Sequence, residues 1–138
     1  MAFGSFDLLH PGHLLYLSKA KRLGDQLIVV VARDSSIVAL KNRKPVLGER
    51  ARLEVVGALR MVNRAVLGNR LSGPTDMYEV MRRYKPDVIA FGYDQRIDID
   101  GLRQWLKRNG LNPRIVLIKA GKNIGLFKSS KLRSKLLS

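Results

Sequence analysis

The chain has 138 residues, no cysteine, 46% hydrophobic residues and 26 Lys and Arg against 11 Asp and Glu, giving a formal net charge of +15. That length and apolar fraction fit one domain with one core, and the lack of any thiol excludes disulfide stapling, cysteine redox chemistry and cysteine-ligated zinc. The longest apolar run, Leu27 to Ala32, is far short of the roughly 20 residues a membrane span needs, and no basic stretch precedes an apolar one at the start, so a cytoplasmic protein with no membrane partner is expected.

In chain order, Met1 to Ser5 reads as a short buried strand. Leu14, Leu15, Leu17, Ala20 and Leu23 then recur at helical spacing after Pro11, with Gly24 placed for a left-handed cap. Gln26 to Ala32 is rich in β-branched residues and suits a strand covered on both faces. Glu49 to Arg60 is a helical stretch, Arg64 to Leu67 a short strand, and Met77, Val80, Met81 and Tyr84 form the next helical face. Asp87 to Phe91 is a fourth strand, Leu102, Trp105 and Leu106 mark a helix after Asp98 to Gly101, and Arg114 to Ile118 is a fifth strand. Strands alternating with helices of this length predict an α/β fold: a doubly wound, Rossmann-like parallel five-stranded sheet with helices on both faces. With no repeat, low-complexity block or long linker, residues 1–138 read as a single domain.

The positive charge is uneven, because residues 119–138 hold six Lys or Arg and no acid, leaving +9 for the rest. Such an excess attracts polyanions, whether nucleic acid, nucleotides or phosphorylated metabolites; a solvated basic surface is the plainer alternative. In a doubly wound sheet ligands bind beyond the carboxyl ends of the strands, where strand order reverses. After the first strand comes Gly4-Ser5-Phe6-Asp7-Leu8-Leu9-His10-Pro11-Gly12-His13. Gly4 and Ser5 let the backbone approach a phosphate, and Pro11 is placed to open a helix whose free N–H groups attract anions. His10 and His13, three apart, can project to one side and face one anion. Capping or a surface role for either residue alone, and metal binding by the pair, are the competing roles.

This segment resembles the HxGH signature of the nucleotidyltransferase superfamily that includes glycerol-3-phosphate cytidylyltransferase, phosphopantetheine adenylyltransferase and archaeal FAD synthase. Phe91-Gly92-Tyr93-Asp94-Gln95 and Val31-Ala32-Arg33-Asp34 resemble the archaeal FAD synthases more than the cytidylyltransferases. The resemblance implies that His10 and His13 stabilise the α- and β-phosphate oxygens in the transition state, aided by Lys44, Arg52 and Lys131. Lys41, Arg43 and Arg50 are weaker candidates. It also implies nucleotide binding by Gly4, Ser5 and Phe6 and by Gly92, Tyr93, Asp94 and Gln95, where Asp94 can accept hydrogen bonds from ribose hydroxyls or an exocyclic amine. Ser129 and Ser130, beside Lys131, look like the family's serine-rich segment opening a last helix, a phosphate site in physical terms.

The activity so implied is adenylyl transfer from ATP to FMN with release of pyrophosphate, assisted by Mg²⁺ bound with the nucleotide. Cytidylyl transfer from CTP to glycerol 3-phosphate or another small phosphorylated acceptor is the alternative. A homodimer fits the family's habit. A nucleic-acid-binding module is the remote alternative, since it should keep aromatics on an exposed face, whereas most here lie in strands, beside glycines or at apolar helix positions.

Overall fold

The structure is a computed structural model and describes residues 1–73, 75–119 and 134. Its elements are β1 (Ala2–Gly4), α1 (Pro11–Lys21), β2 (Ile28–Val31), α2 (Asp34–Lys41), α3 (Glu49–Gly57), β3 (Arg64–Leu67), a 3-10 turn (Asp76–Tyr78), α4 (Glu79–Tyr84), β4 (Val88–Gly92), α5 (Ile99–Arg108) and β5 (Arg114–Ile118). The five strands form one sheet in the order β3-β2-β1-β4-β5, with every pairing parallel. The chain winds outward from β1 to β3 and then returns to the other side with β4, so strand order reverses between β1 and β4.

Alternate residues of each strand face opposite layers. Val29 and Val31 of β2, with Ala2 and Ala90, pack beneath Leu17 and Ala20 of α1 and Val56 of α3. Val30, Ile89 and Phe91 point the other way, against Val80 and Met81 of α4 and Leu102, Trp105 and Leu106 of α5. Each buried Val, Leu, Ile, Phe or Met among them contributes about 1.5–3 kcal/mol relative to exposure. Helices therefore cover both faces, and the short strands are held by two-sided burial.

The local expectations differ from the structure in instructive places. Residues 34–41 form a helix that the sequence does not advertise: Asp-Ser-Ser opens it like a loop, its N-cap residue Arg33 makes no capping bond, and a single turn of apolar residues follows. Gly24 is not the left-handed cap. α1 closes at Arg22 in right-handed conformation, with its N–H donated to Ala20 and Ser18 carbonyls, so no positive φ is needed. α3 ends at Gly57, short of Arg60, because tight turns at Leu59 and Val62 bend the chain into β3.

Candidate active site

The site is built where β1 runs out. Phe6 takes φ 52°, a left-handed conformation rare for a bulky residue, and this turns its ring back over the strand end. A Cβ on Gly4 would lie 2.7 Å from that ring, so glycine is required there. Phe6 is buried and packs edge-on against the His13 imidazole, with centroids 5.4 Å apart. The Phe6 side chain, expected to contact the nucleotide, thus forms the floor beneath a histidine.

His10 and His13 open α1 as a reciprocal capping box. His10 is the N-cap, its Nδ1 accepting from Gly12 N–H at 3.1 Å, while His13 Nδ1 accepts from His10 N–H at 3.3 Å. The rings stack with centroids 3.8 Å apart. A ring nitrogen that accepts a backbone N–H carries no proton, so in both neutral rings the proton sits on Nε2. Burial lowers the His10 pKa, partly offset by the Asp94 carboxylate. Burial, with His10 and Lys41 adding positive charge, pushes His13 down to about 4. Near pH 7 the site presents two neutral Nε2–H donors. Capping and ligand binding compete for these residues in the sequence; the geometry gives one nitrogen of each ring to the cap and keeps the other out of it.

The end of α2 and the segment from there to α3 bring the cations. Lys41 Nζ donates to Ser5 Oγ at 3.0 Å and acts on His13 through its charge, so Lys41 stands closer to the histidines than its sequence rank implied. Lys44 is exposed in the same segment. Asp7, almost fully buried, tethers that segment by accepting Val46 N–H and Leu47 N–H at 2.9 Å and by pairing with Arg43 at 3.6 Å. Arg52 is 0% exposed. Its guanidinium donates to Leu47 C=O at 2.9 Å, Ser5 C=O at 2.7 Å and Asp34 Oδ1 at 2.7 Å. Arg52 was expected to touch a phosphate; in this structure its donors tie the end of β1 to α2 and to the loop before α3. Arg33 and Glu49 pair at 3.4 Å, and Glu49 also accepts Asp34 N–H at 2.9 Å, completing the clasp between α2 and α3.

Across the crevice, at the end of β4, Tyr93 and Asp94 are exposed, and Asp94 is near enough for its charge to reach His10. Gln95 differs: its amide bridges Gly92 N–H and Phe3 C=O. Tyr16 of α1, which no sequence signal singles out, places its hydroxyl at the same fork between β1 and β4. Ser129, Ser130 and Lys131 lie outside the described residues. Among the described residues no group of three or more His, Cys, Asp or Glu could hold a metal ion, and no helix is long and apolar enough to cross a membrane.

The cytidylyltransferase-like family model matches residues 1–135. The chain is 44% identical over 137 residues to the FAD synthase of Methanosarcina mazei, covering 99% of this chain and 87% of that protein. It is 47% identical to the FAD synthase of Methanothermobacter marburgensis, covering 97% of this chain and 78% of that one. Among solved structures it is similar to the lipopolysaccharide core biosynthesis protein of Thermoplasma volcanium, with a TM-score of 0.79 and 40% identity across 88% of this chain and 96% of the other.

Proposed function

The chain belongs to the cytidylyltransferase-like family, and from that premise we propose that it is an FMN adenylyltransferase, a single-domain cytoplasmic enzyme that makes FAD and pyrophosphate from ATP and FMN. A phosphate oxygen of FMN attacks the α-phosphorus of ATP, the bond from that phosphorus to the oxygen bridging to the β-phosphate breaks, and pyrophosphate carries the electron pair away. The nucleophile is already anionic near neutral pH, so the protein's task is alignment and charge stabilisation. Magnesium enters with the nucleotide as part of the substrate, held chiefly by phosphates and water.

The observation that carries this reading is the pair of imidazoles whose Nδ1 atoms are fixed by the capping box, leaving two Nε2–H donors preorganised for phosphate oxygens that gain charge in the transition state. Lys41 supplies positive charge beside them, with Lys44 of the following loop adding to it in this proposal, and Gly92 with Tyr93 and Asp94 lines the opposite wall for base and ribose. Ser129, Ser130 and Lys131 complete the phosphate cradle in this proposal. The relatives' shared name, FAD synthase, supports ATP and FMN over CTP and glycerol 3-phosphate.

A pyrophosphate-release assay crossing ATP and CTP with FMN and glycerol 3-phosphate tests it. Release with ATP and FMN, matched by FAD on chromatography, is expected. Release confined to CTP with glycerol 3-phosphate would replace the reading by its cytidylyl alternative, and no release with any pair would remove it.

A further inference from the structure

Strands β1 and β2 share three register pairs, β2 and β3 four, and β4 and β5 five, yet β1 and β4 share one, Ala2 opposite Ala90. Ala90 N–H reaches Met1 C=O at 2.9 Å, and in a continuing parallel ladder Gly92 N–H would be offered to Phe3 C=O. Instead the Gln95 carboxamide stands between those two groups: Gly92 N–H donates to Oε1 at 2.6 Å, and Nε2 donates to Phe3 C=O at 2.8 Å. One backbone bond is replaced by two bonds and an amide. One rung below, the Tyr16 hydroxyl donates to Ala90 C=O at 2.8 Å and accepts Phe3 N–H at 3.2 Å. Tyr16 rides on α1 with the histidines, and Gln95 sits on the turn that carries Tyr93 and Asp94. The two walls of the crevice are therefore joined through these side chains.

We propose that Gln95 and Tyr16 are positioning residues that hold β1 and β4 apart at the reversal point, setting the width of the crevice for the nucleotide instead of contacting it. The inference rests on the nucleotidyl-transfer reading of the site. Because no backbone group is left unpaired by the insertion, the spread form is stable without a ligand. Removing the Gln95 amide frees Gly92 N–H to pair with Phe3 C=O directly, drawing the strands together.

The test uses the full chain carrying Gln95→Ala. A through-hydrogen-bond coupling from Gly92 nitrogen to the Phe3 carbonyl carbon, measured by NMR without ligand, is expected in the variant and not in the parent. With it, KM for ATP should rise about tenfold or more, as a misplacement near 1 Å can cost more still, while KM for FMN stays within about twofold. A variant showing no such coupling, or one showing it with an unchanged KM for ATP, overturns the proposal; so does a parallel loss on both substrates, which plain unfolding would give. Tyr16→Phe, which deletes only the hydroxyl, should raise KM for ATP in the same sense, and parental KM there removes Tyr16 from the device. Should the parent protein use no nucleotide, the functional reading fails, while the coupling still decides whether Gln95 spaces the strands.

Discussion

The two histidines give each ring a structural nitrogen and a functional one, and these can be separated by substitution. Asparagine at position 10 keeps an acceptor for Gly12 N–H and is among the best N-cap residues, but it lacks the Nε2 donor. His10→Asn should therefore melt close to the parent and lose about 10²–10³ in turnover, the range for removal of one preorganised donor. His10→Ala should lose the same activity and also about 1 kcal/mol of stability, the usual worth of a cap. Comparable turnover in His10→Asn and the parent, measured by pyrophosphate release, would show that the ring serves the helix alone. The same geometry governs pH. His13 takes up a proton near 6.5 in the unfolded chain but at about 4 in the folded one, so between those values the unfolded state binds more protons. Stability should accordingly fall as pH drops from 6.5 towards 4 and level off below. An NMR titration of the His13 ring with a midpoint at the ordinary imidazole value would contradict the buried cap.

The clasp between α2 and α3 decides how the cationic loop is presented. Arg52 reaches three acceptors on three segments, a demand that a planar guanidinium meets and an ammonium does not. Arg52→Lys should then be destabilised nearly as much as Arg52→Met, each by about 2–4 kcal/mol from carbonyls left without donors, read by urea denaturation. If Arg52 acted chiefly as a phosphate cation, Arg52→Lys would remain as stable as the parent. The contrast shows how much a sequence discloses at this scale. Strands such as Arg64–Leu67 and Arg114–Ile118 were legible to the residue, since short apolar runs bounded by helical stretches have few other uses. The location of the His10–His13 pair after β1 was legible for a similar reason, because a strand, a glycine and Pro11 together leave the chain little choice but to open a helix there. The role of Arg52 was not. An arginine at a helix start looks alike whether it faces solvent, phosphate or two carbonyls and a carboxylate, and only the path of the chain around it tells which. α2 escaped notice because its stability comes from Ile37 burial and the Asp34 and Glu49 contacts, all tertiary, with little propensity or capping to announce it.

At the scale of the whole molecule the charge of +15 on 138 residues becomes an instrument of capture. Several acids are already paired within the fold, Asp7 with Arg43, Asp34 with Arg52, Glu49 with Arg33 and Glu79 with Arg82. The excess of cations over acids, with Lys41 near His13, projects a positive field over the crevice. A field of this kind raises the encounter rate of an anionic ligand by about 10–10³ and fades as salt shortens its reach. The Debye length shrinks from about 30 Å at 0.01 M to about 3 Å at 1 M salt, so kcat/KM for ATP should fall by about tenfold or more over that range. Turnover at saturating substrate should change little, because donors such as the histidine Nε2–H groups act at hydrogen-bond distance inside the site, where screening is weak. A flat kcat/KM across that range would mean that the excess charge serves the surface and not the site. An equal fall in kcat would mean that salt loosens the cationic loop itself, and circular dichroism at the same salt concentrations would separate that loosening from loss of steering.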